Sequence, residues 1–252
     1  MHLGKPDSRI TTSPRAQRSF KLALKVALWF TALLWVILIV DTVMGLGLAR
    51  FGLRPGHLEG LIGVLTAPLL HSGPEHLFSN SLPLIISLTT ILYLYPQSSL
   101  RVIPLIWIGS GVLAWIIGRH NLHFGASGFV YGLLAYVFIS GLLRLDMRSV
   151  AVSVMVWFLY GSMIWGVLPI RPNMSWELHL GGAILGVALA IVYRRWDKVP
   201  VKRYSWEDDE SIPEWFPTKE PHLHDKARDV TEAQTPVEKL PPGPKPSERH
   251  ND

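Results

Sequence analysis

The chain has 252 residues, 49% of them apolar and only 17% charged, with a net charge of +5 and a mean hydropathy of +0.27. A soluble domain carries about 25% charged residues; here the deficit is local, between Leu22 and Tyr193, and both flanks are polar, which excludes a uniformly globular domain and indicates an all-α membrane protein with soluble tails. The chain has no cysteine, which excludes disulfides and thiolate metal sites, and its basic residues flank apolar runs, so the charge reads as membrane orientation and not as a nucleic-acid surface.

A hydrocarbon core about 30 Å thick takes roughly 17–25 helical residues to cross, and backbone polar groups in lipid have to be satisfied within each segment. Residues 1–20 read as a basic N-terminal tail, followed by a first span at 22–43. That run exceeds the roughly 7–15 apolar residues of a signal peptide and is read as retained, with Asp41 near its end at the interface. Residues 45–70 mix apolar side chains with Arg50, Arg54, Pro55 and Glu59; an interfacial or re-entrant loop is preferred over a plain solvent loop. Five more spans are expected, at 75–95, 100–118, 127–143, 150–168 and 176–193, completing a six-helix domain at 21–197. Residues 198–252 are Pro-rich with mixed charge. They cannot bury enough apolar surface to offset chain entropy and are expected to be disordered, as a docking segment for an unknown partner or as a solvated tail.

Orientation follows from basic residues near the span ends. Arg9, Arg15, Arg18, Lys21 and Lys25, then Arg101, then Arg144 and Arg148, then Arg194, Arg195 and Lys198 fall on one side, against Arg50, Arg54, Arg119 and Arg171 on the other. Both termini are therefore expected in the cytoplasm.

Polar groups are expensive in hydrocarbon, and an ionisable one there suggests a functional site. Ser127, in Gly125-Ala126-Ser127-Gly128, heads the fourth span, and His179, in His179-Leu180-Gly181-Gly182, lies near the head of the sixth. Topology puts both slightly inside the extracytoplasmic face, together with the head of the second span, which carries His71, His76 and Asn80. A serine and a histidine suggest a nucleophile and its base. His76 and Asn80 are four apart and share a helix face, where both can donate to a developing oxyanion; for Asn80 alone, an interhelical hydrogen bond is the competing reading. Gly125 and Gly128 allow a tight entry into the fourth span, whose first amides are free to join an oxyanion hole. Tyr131 shares the Ser127 face and can pack on the His179 ring. The Gly128/Gly132 and Gly182/Gly186 pairs let the fourth and sixth spans approach closely. Glu177, two residues before His179, points elsewhere on a helix, which argues against a triad. His120 and His123 lack a third ligand at suitable spacing, so no metal is expected.

These residues resemble the rhomboid family of intramembrane serine proteases: Gly125-Ala126-Ser127-Gly128, His179-Leu180-Gly181-Gly182 and His76-Leu77-x-x-Asn80 match in order and in span placement over residues 22–193. The resemblance implies a six-helix rhomboid bundle of the basic bacterial form, in a bacterial inner membrane. It implies Ser127 as nucleophile, His179 as general base, and His76, Asn80 and the Ser127 amide around the oxyanion. Tyr131 would support the histidine ring and His71 would serve a structural hydrogen bond. It implies no cofactor, and substrates that are transmembrane proteins cleaved near the bilayer surface. Many relatives carry a Trp-Arg pair in the first long loop; here that loop reads Arg50-Phe51-Gly52-Leu53-Arg54, which leaves its packing open. The rival readings are a rhomboid-like pseudoprotease that binds helices without cutting, and a small transporter or channel using His76, Asn80 and His179 as a polar path.

Overall fold

The computed structural model describes residues 14–144, 146–170 and 174–197. Arg9, Arg171 and Lys198, which entered the orientation argument, and the tail at 198–252 lie outside the described residues. Among the described residues six long helices run in order: α1 Pro14–Met44, α2 Pro74–Leu94, α3 Pro96–Ile117, α4 Ser127–Arg144, α5 Met147–Tyr160 and α6 Trp176–Val192. Among the described residues, extended pairing is limited to one isolated bridge between Leu53 and His123.

The boundaries depart from expectation where a local feature overrides hydropathy. α1 begins at Pro14, well inside the expected tail, because Ala16 and Ala23 are buried and continue its packed stripe. The gap expected between the second and third spans closes to Tyr95 alone, since Pro96 suits the first turn of α3. Ser98 and Ser99 there return their hydroxyls to the carbonyls of Tyr95 and Pro96. Asp146 caps α5, accepting from the Ser149 N–H at 3.0 Å, and the expected fifth span tightens after Gly161 into a 3-10 helix, Gly161–Val167. The 45–70 segment folds into short turns at Leu48–Phe51, Leu58–Ile62, Gly63–Thr66 and Ala67–Leu69. Asp41 starts it by accepting from the Leu48 N–H at 3.0 Å.

Among the described residues, five stretches are long and apolar enough to cross a bilayer: α1, α2, α3, α4 and α5 with its continuation to Val167. α6 is apolar but only 17 residues long, about 26 Å at the helical rise, the short end of what a bilayer takes. Large apolar side chains face outward along these helices, among them Trp29, Phe78, Phe158 and Trp165. Such a surface suits lipid and not water, and the chain is an integral membrane protein.

The core explains how the helices are held. α4 buries eleven of its eighteen residues. Phe129, Val130, Leu133, Tyr136 and Val137 of α4 pack with Leu34 of α1, Leu77, Leu84 and Ile91 of α2, and Ile106 of α3. A smaller cluster of Leu53, Val64, Ala67, Ala114 and Leu178 seats the 45–70 segment against α3 and α6. Two tryptophans of α3 pin that segment: Trp115 Nε1 donates to the His57 carbonyl at 3.0 Å and Trp107 Nε1 to the Leu65 carbonyl at 3.1 Å.

Candidate active site

The site lies where the heads of α2, α4 and α6 meet. Gly125 has φ +124, a conformation L side chains rarely adopt, and a Cβ there would strike the His76 ring. The chain can therefore turn into α4 beneath His76 only through a glycine. The turn is fixed by two acceptors: the Gly125 N–H donates to the Ala67 carbonyl at 2.8 Å, and the Ala126 N–H to His71 Nε2 at 3.2 Å. For Nε2 to accept, His71 has to be neutral; burial, with His76 beside it, lowers its pKa from 6.5 to about 4. Ser127 is the first residue of α4, so its own N–H has no partner within the helix.

α4 and α6 approach at glycines. A Cβ on Gly182 would collide with the Gly128 carbonyl, and one on Gly186 with the Gly132 carbonyl. The contact brings His179 Nε2 to 2.7 Å from Ser127 Oγ; both residues are buried. The other ring nitrogen, Nδ1, lies 2.9 Å from the Gly166 carbonyl. A carbonyl only accepts, so Nδ1 carries the proton, and in the neutral ring Nε2 presents its lone pair to the serine hydroxyl. The Tyr131 ring stacks on His179 with centroids 4.2 Å apart and planes within 5°, and its hydroxyl donates to the Met163 carbonyl at 2.7 Å. A side chain at Gly166 would collide with the Tyr131 hydroxyl. A hydroxyl bonded to an imidazole that is itself oriented from behind is what general-base activation of a nucleophile requires.

His76 and Asn80 differ in what they offer. The His76 ring lies against Gly125, and its Nδ1 pairs with Ser72 Oγ at 3.2 Å, so Nε2 is the nitrogen left for a ligand. Asn80 is buried and spends one amide N–H on the His76 carbonyl at 3.0 Å; its second N–H is the available donor. The interhelical bond that was the competing reading for Asn80 does not form among the described residues; its bond lies within α2.

Two parts of the site have no sequence motif. The Gly166 carbonyl takes the place behind His179 that a carboxylate occupies in a triad. Glu177 has its own partners: its Oε1 lies 2.6 Å from Arg119 Nε and accepts the Arg119 backbone N–H at 3.2 Å. His123 is buried, with Nε2–H donating to the Arg119 carbonyl and Nδ1 on Ser175 Oγ, both at 3.0 Å. His120 sits apart from it, with its ring against His57. A charged carboxyl at the head of an apolar helix was the available signal, because a buried charge demands a partner.

A family model for the rhomboid domain matches residues 58–196, more than half of the chain, and includes Ser127, His179, His76 and Asn80. The chain belongs to the rhomboid family. It is 33% identical over 172 residues to uncharacterized proteins of Mycobacterium tuberculosis and Mycobacterium bovis, covering 65% of this chain and 72% of theirs. An uncharacterized protein of Mycobacterium leprae is 30% identical over 198 residues, covering 73% and 78%. The rhomboid match begins at Leu58, so α1 precedes it, and it ends at Trp196, just past α6.

Proposed function

We propose that this rhomboid is an intramembrane serine endopeptidase that cleaves transmembrane proteins by a Ser127–His179 dyad. The observation that carries the reading is the 2.7 Å contact between Ser127 Oγ and His179 Nε2, with the Nδ1 proton on Gly166. Ser127 Oγ attacks the scissile carbonyl while His179 Nε2 takes its proton. The oxyanion is met by the Ser127 N–H, His76 and the free Asn80 N–H, the kind of donors whose individual loss costs roughly 10²–10³ in rate. The imidazolium returns the proton to the leaving amine. Water then attacks the acyl-enzyme by the same route and releases the acid.

Six spans complete this reading, with α6 as the sixth. The basic-residue count supports cytoplasmic termini and a site opening to the extracytoplasmic side, where a substrate helix can unwind. The mycobacterial relatives support a bacterial inner membrane. The test is cleavage of a reconstituted transmembrane substrate together with labelling by a fluorophosphonate. Wild type should cleave and label at Ser127, whereas Ser127→Ala and His179→Ala should lose activity by at least about 10³-fold. Binding of a transmembrane helix with neither labelling nor cleavage would favour the pseudoprotease.

A further inference from the structure

Ser127 and His179 lie on different helices, and their 2.7 Å contact depends on how the segment leading into α4 is fixed to the head of α6. We infer that the Arg119–Glu177 ion pair, with His123 and Ser175, is a positioning device that clamps these two elements in register. The inference rests on the dyad reading above and adds residues to it.

Glu177 is two residues before His179, and its side chain is fully buried, whereas that of Arg119 is 40% exposed. Arg119 holds it by Nε at 2.6 Å, by its backbone N–H at 3.2 Å and by Nη2 at 3.4 Å. The same Nη2 donates to the Met174 carbonyl at 3.0 Å, so the guanidinium spans the approach to α6. A planar fork locked at this many points resists sliding, which a flexible ammonium does not. Four residues on, the His123 ring repeats the linkage, with one nitrogen on Arg119 and the other on Ser175. His123 is further tied by paired backbone bonds with Leu53, both 2.8 Å, so the clamp also rests on the 45–70 segment. Beyond it the chain has only Phe124, Gly125 and Ala126 before Ser127. None of the four side chains hydrogen-bonds the side chain of Ser127 or His179. They act through the backbone, and an error of about 1 Å at the reacting atoms can cost on the order of 10²-fold.

The probe is a fluorophosphonate, with its labelling rate at Ser127 measured per folded molecule in detergent and the thermal midpoint followed separately. Glu177→Ala and Arg119→Ala should each slow labelling about 10–100-fold in protein that remains folded at the assay temperature. The double variant should be no slower than the worse single one, because the pair is one device. Glu177→Gln, which still accepts from Arg119, should recover to within about threefold of wild type. In Arg119→Ala, which keeps the Glu177 charge in place, the pH at half-maximal labelling should stay where it is while the plateau falls, since the base itself is unchanged. Should Glu177→Ala fail to fold, Arg119→Ala at the half-exposed partner carries the test. Wild-type labelling rates in folded Arg119→Ala and Glu177→Ala would overturn the inference and leave the dyad standing. A wild-type protein that does not label at Ser127 would overturn both.

Discussion

The residues that hold the site divide into those that do chemistry and those that keep a neighbouring atom still. His71 belongs to the second kind. Its neutral Nε2 accepts the Ala126 N–H at 3.2 Å, one residue before the nucleophile, and burial lowers its pKa from 6.5 to about 4. Between those two values the unfolded chain binds more protons at this position than the folded one. The His71 contribution to stability is therefore complete above pH 6.5 and declines as pH falls to about 4, by up to about 3 kcal/mol. Thermal melts across this window should show the loss. His71→Gln keeps an acceptor without a titrating proton, so its melting temperature should fall less steeply with acid. An unchanged pH slope in the variant would show that the loss comes from other groups. The serine and the histidine were legible in the sequence because each is a polar residue at the head of a long apolar run. The Gly166 carbonyl behind His179 was not legible, because any residue supplies a carbonyl and only the fold says which one faces the ring.

The decisive pairing of elements is α4 against α6, and it rests on the absence of side chains. A Cβ on Gly182 has no space against the Gly128 carbonyl, and one on Gly128 would lie 2.8 Å from the Leu178 carbonyl. Gly182→Val therefore forces the helices apart at the level of the dyad. Overpacking of this kind costs about 1–3 kcal/mol, and a hydrogen bond of 2.7 Å cannot absorb the displacement. Labelling of Ser127 should fall by about 10²-fold or more, and Gly182→Ala should show a smaller loss. Gly73→Ala is the control: its Cβ meets nothing within 4 Å, so stability should stay within about 0.5 kcal/mol. Equal effects of Gly182→Val and Gly73→Ala would refute the close-approach argument. The small-residue spacing on both spans was readable in advance, as were the ends of α4 and α6, because hydropathy and glycine patterns act locally. The break of the fifth span after Gly161 and the start of α3 at Pro96 were less legible. A 3-10 continuation keeps the same apolar composition as the helix it extends, and serines that bond back to their own turn look like loop residues.

At the scale of the whole molecule the bundle is fastened at both ends, and the two fastenings serve different purposes. The site end carries Arg119, Glu177 and His123. The opposite end carries Asp197, just past α6, whose carboxylate accepts the N–H of Gln97 at 2.7 Å and, at 3.0 and 2.7 Å, the N–H and hydroxyl of Ser98. A carboxylate there satisfies free amides and opposes the positive end of the α3 dipole. Arg144, at the end of α4, donates to the Asp197 carbonyl at 3.2 Å and packs its guanidinium 4.3 Å above the Tyr95 ring. Nothing local in the sequence links Asp197 to a helix start a hundred residues earlier, which is why this cap could not be read from it. Its partners lie at the ends of α3 and α4 remote from Ser127, so the clasp should govern stability without governing chemistry. Asp197→Ala frees two helix amides and leaves the buried Arg144 without its carboxylate, at a cost of about 2–4 kcal/mol. The thermal midpoint in detergent should drop accordingly, while folded protein at low temperature should label at Ser127 at the wild-type rate. Asp197→Asn retains an acceptor and should recover part of the loss. A fall in labelling rate that matches the fall in stability would mean that the two ends of the bundle are mechanically coupled, and the separation of fastening from catalysis would be wrong.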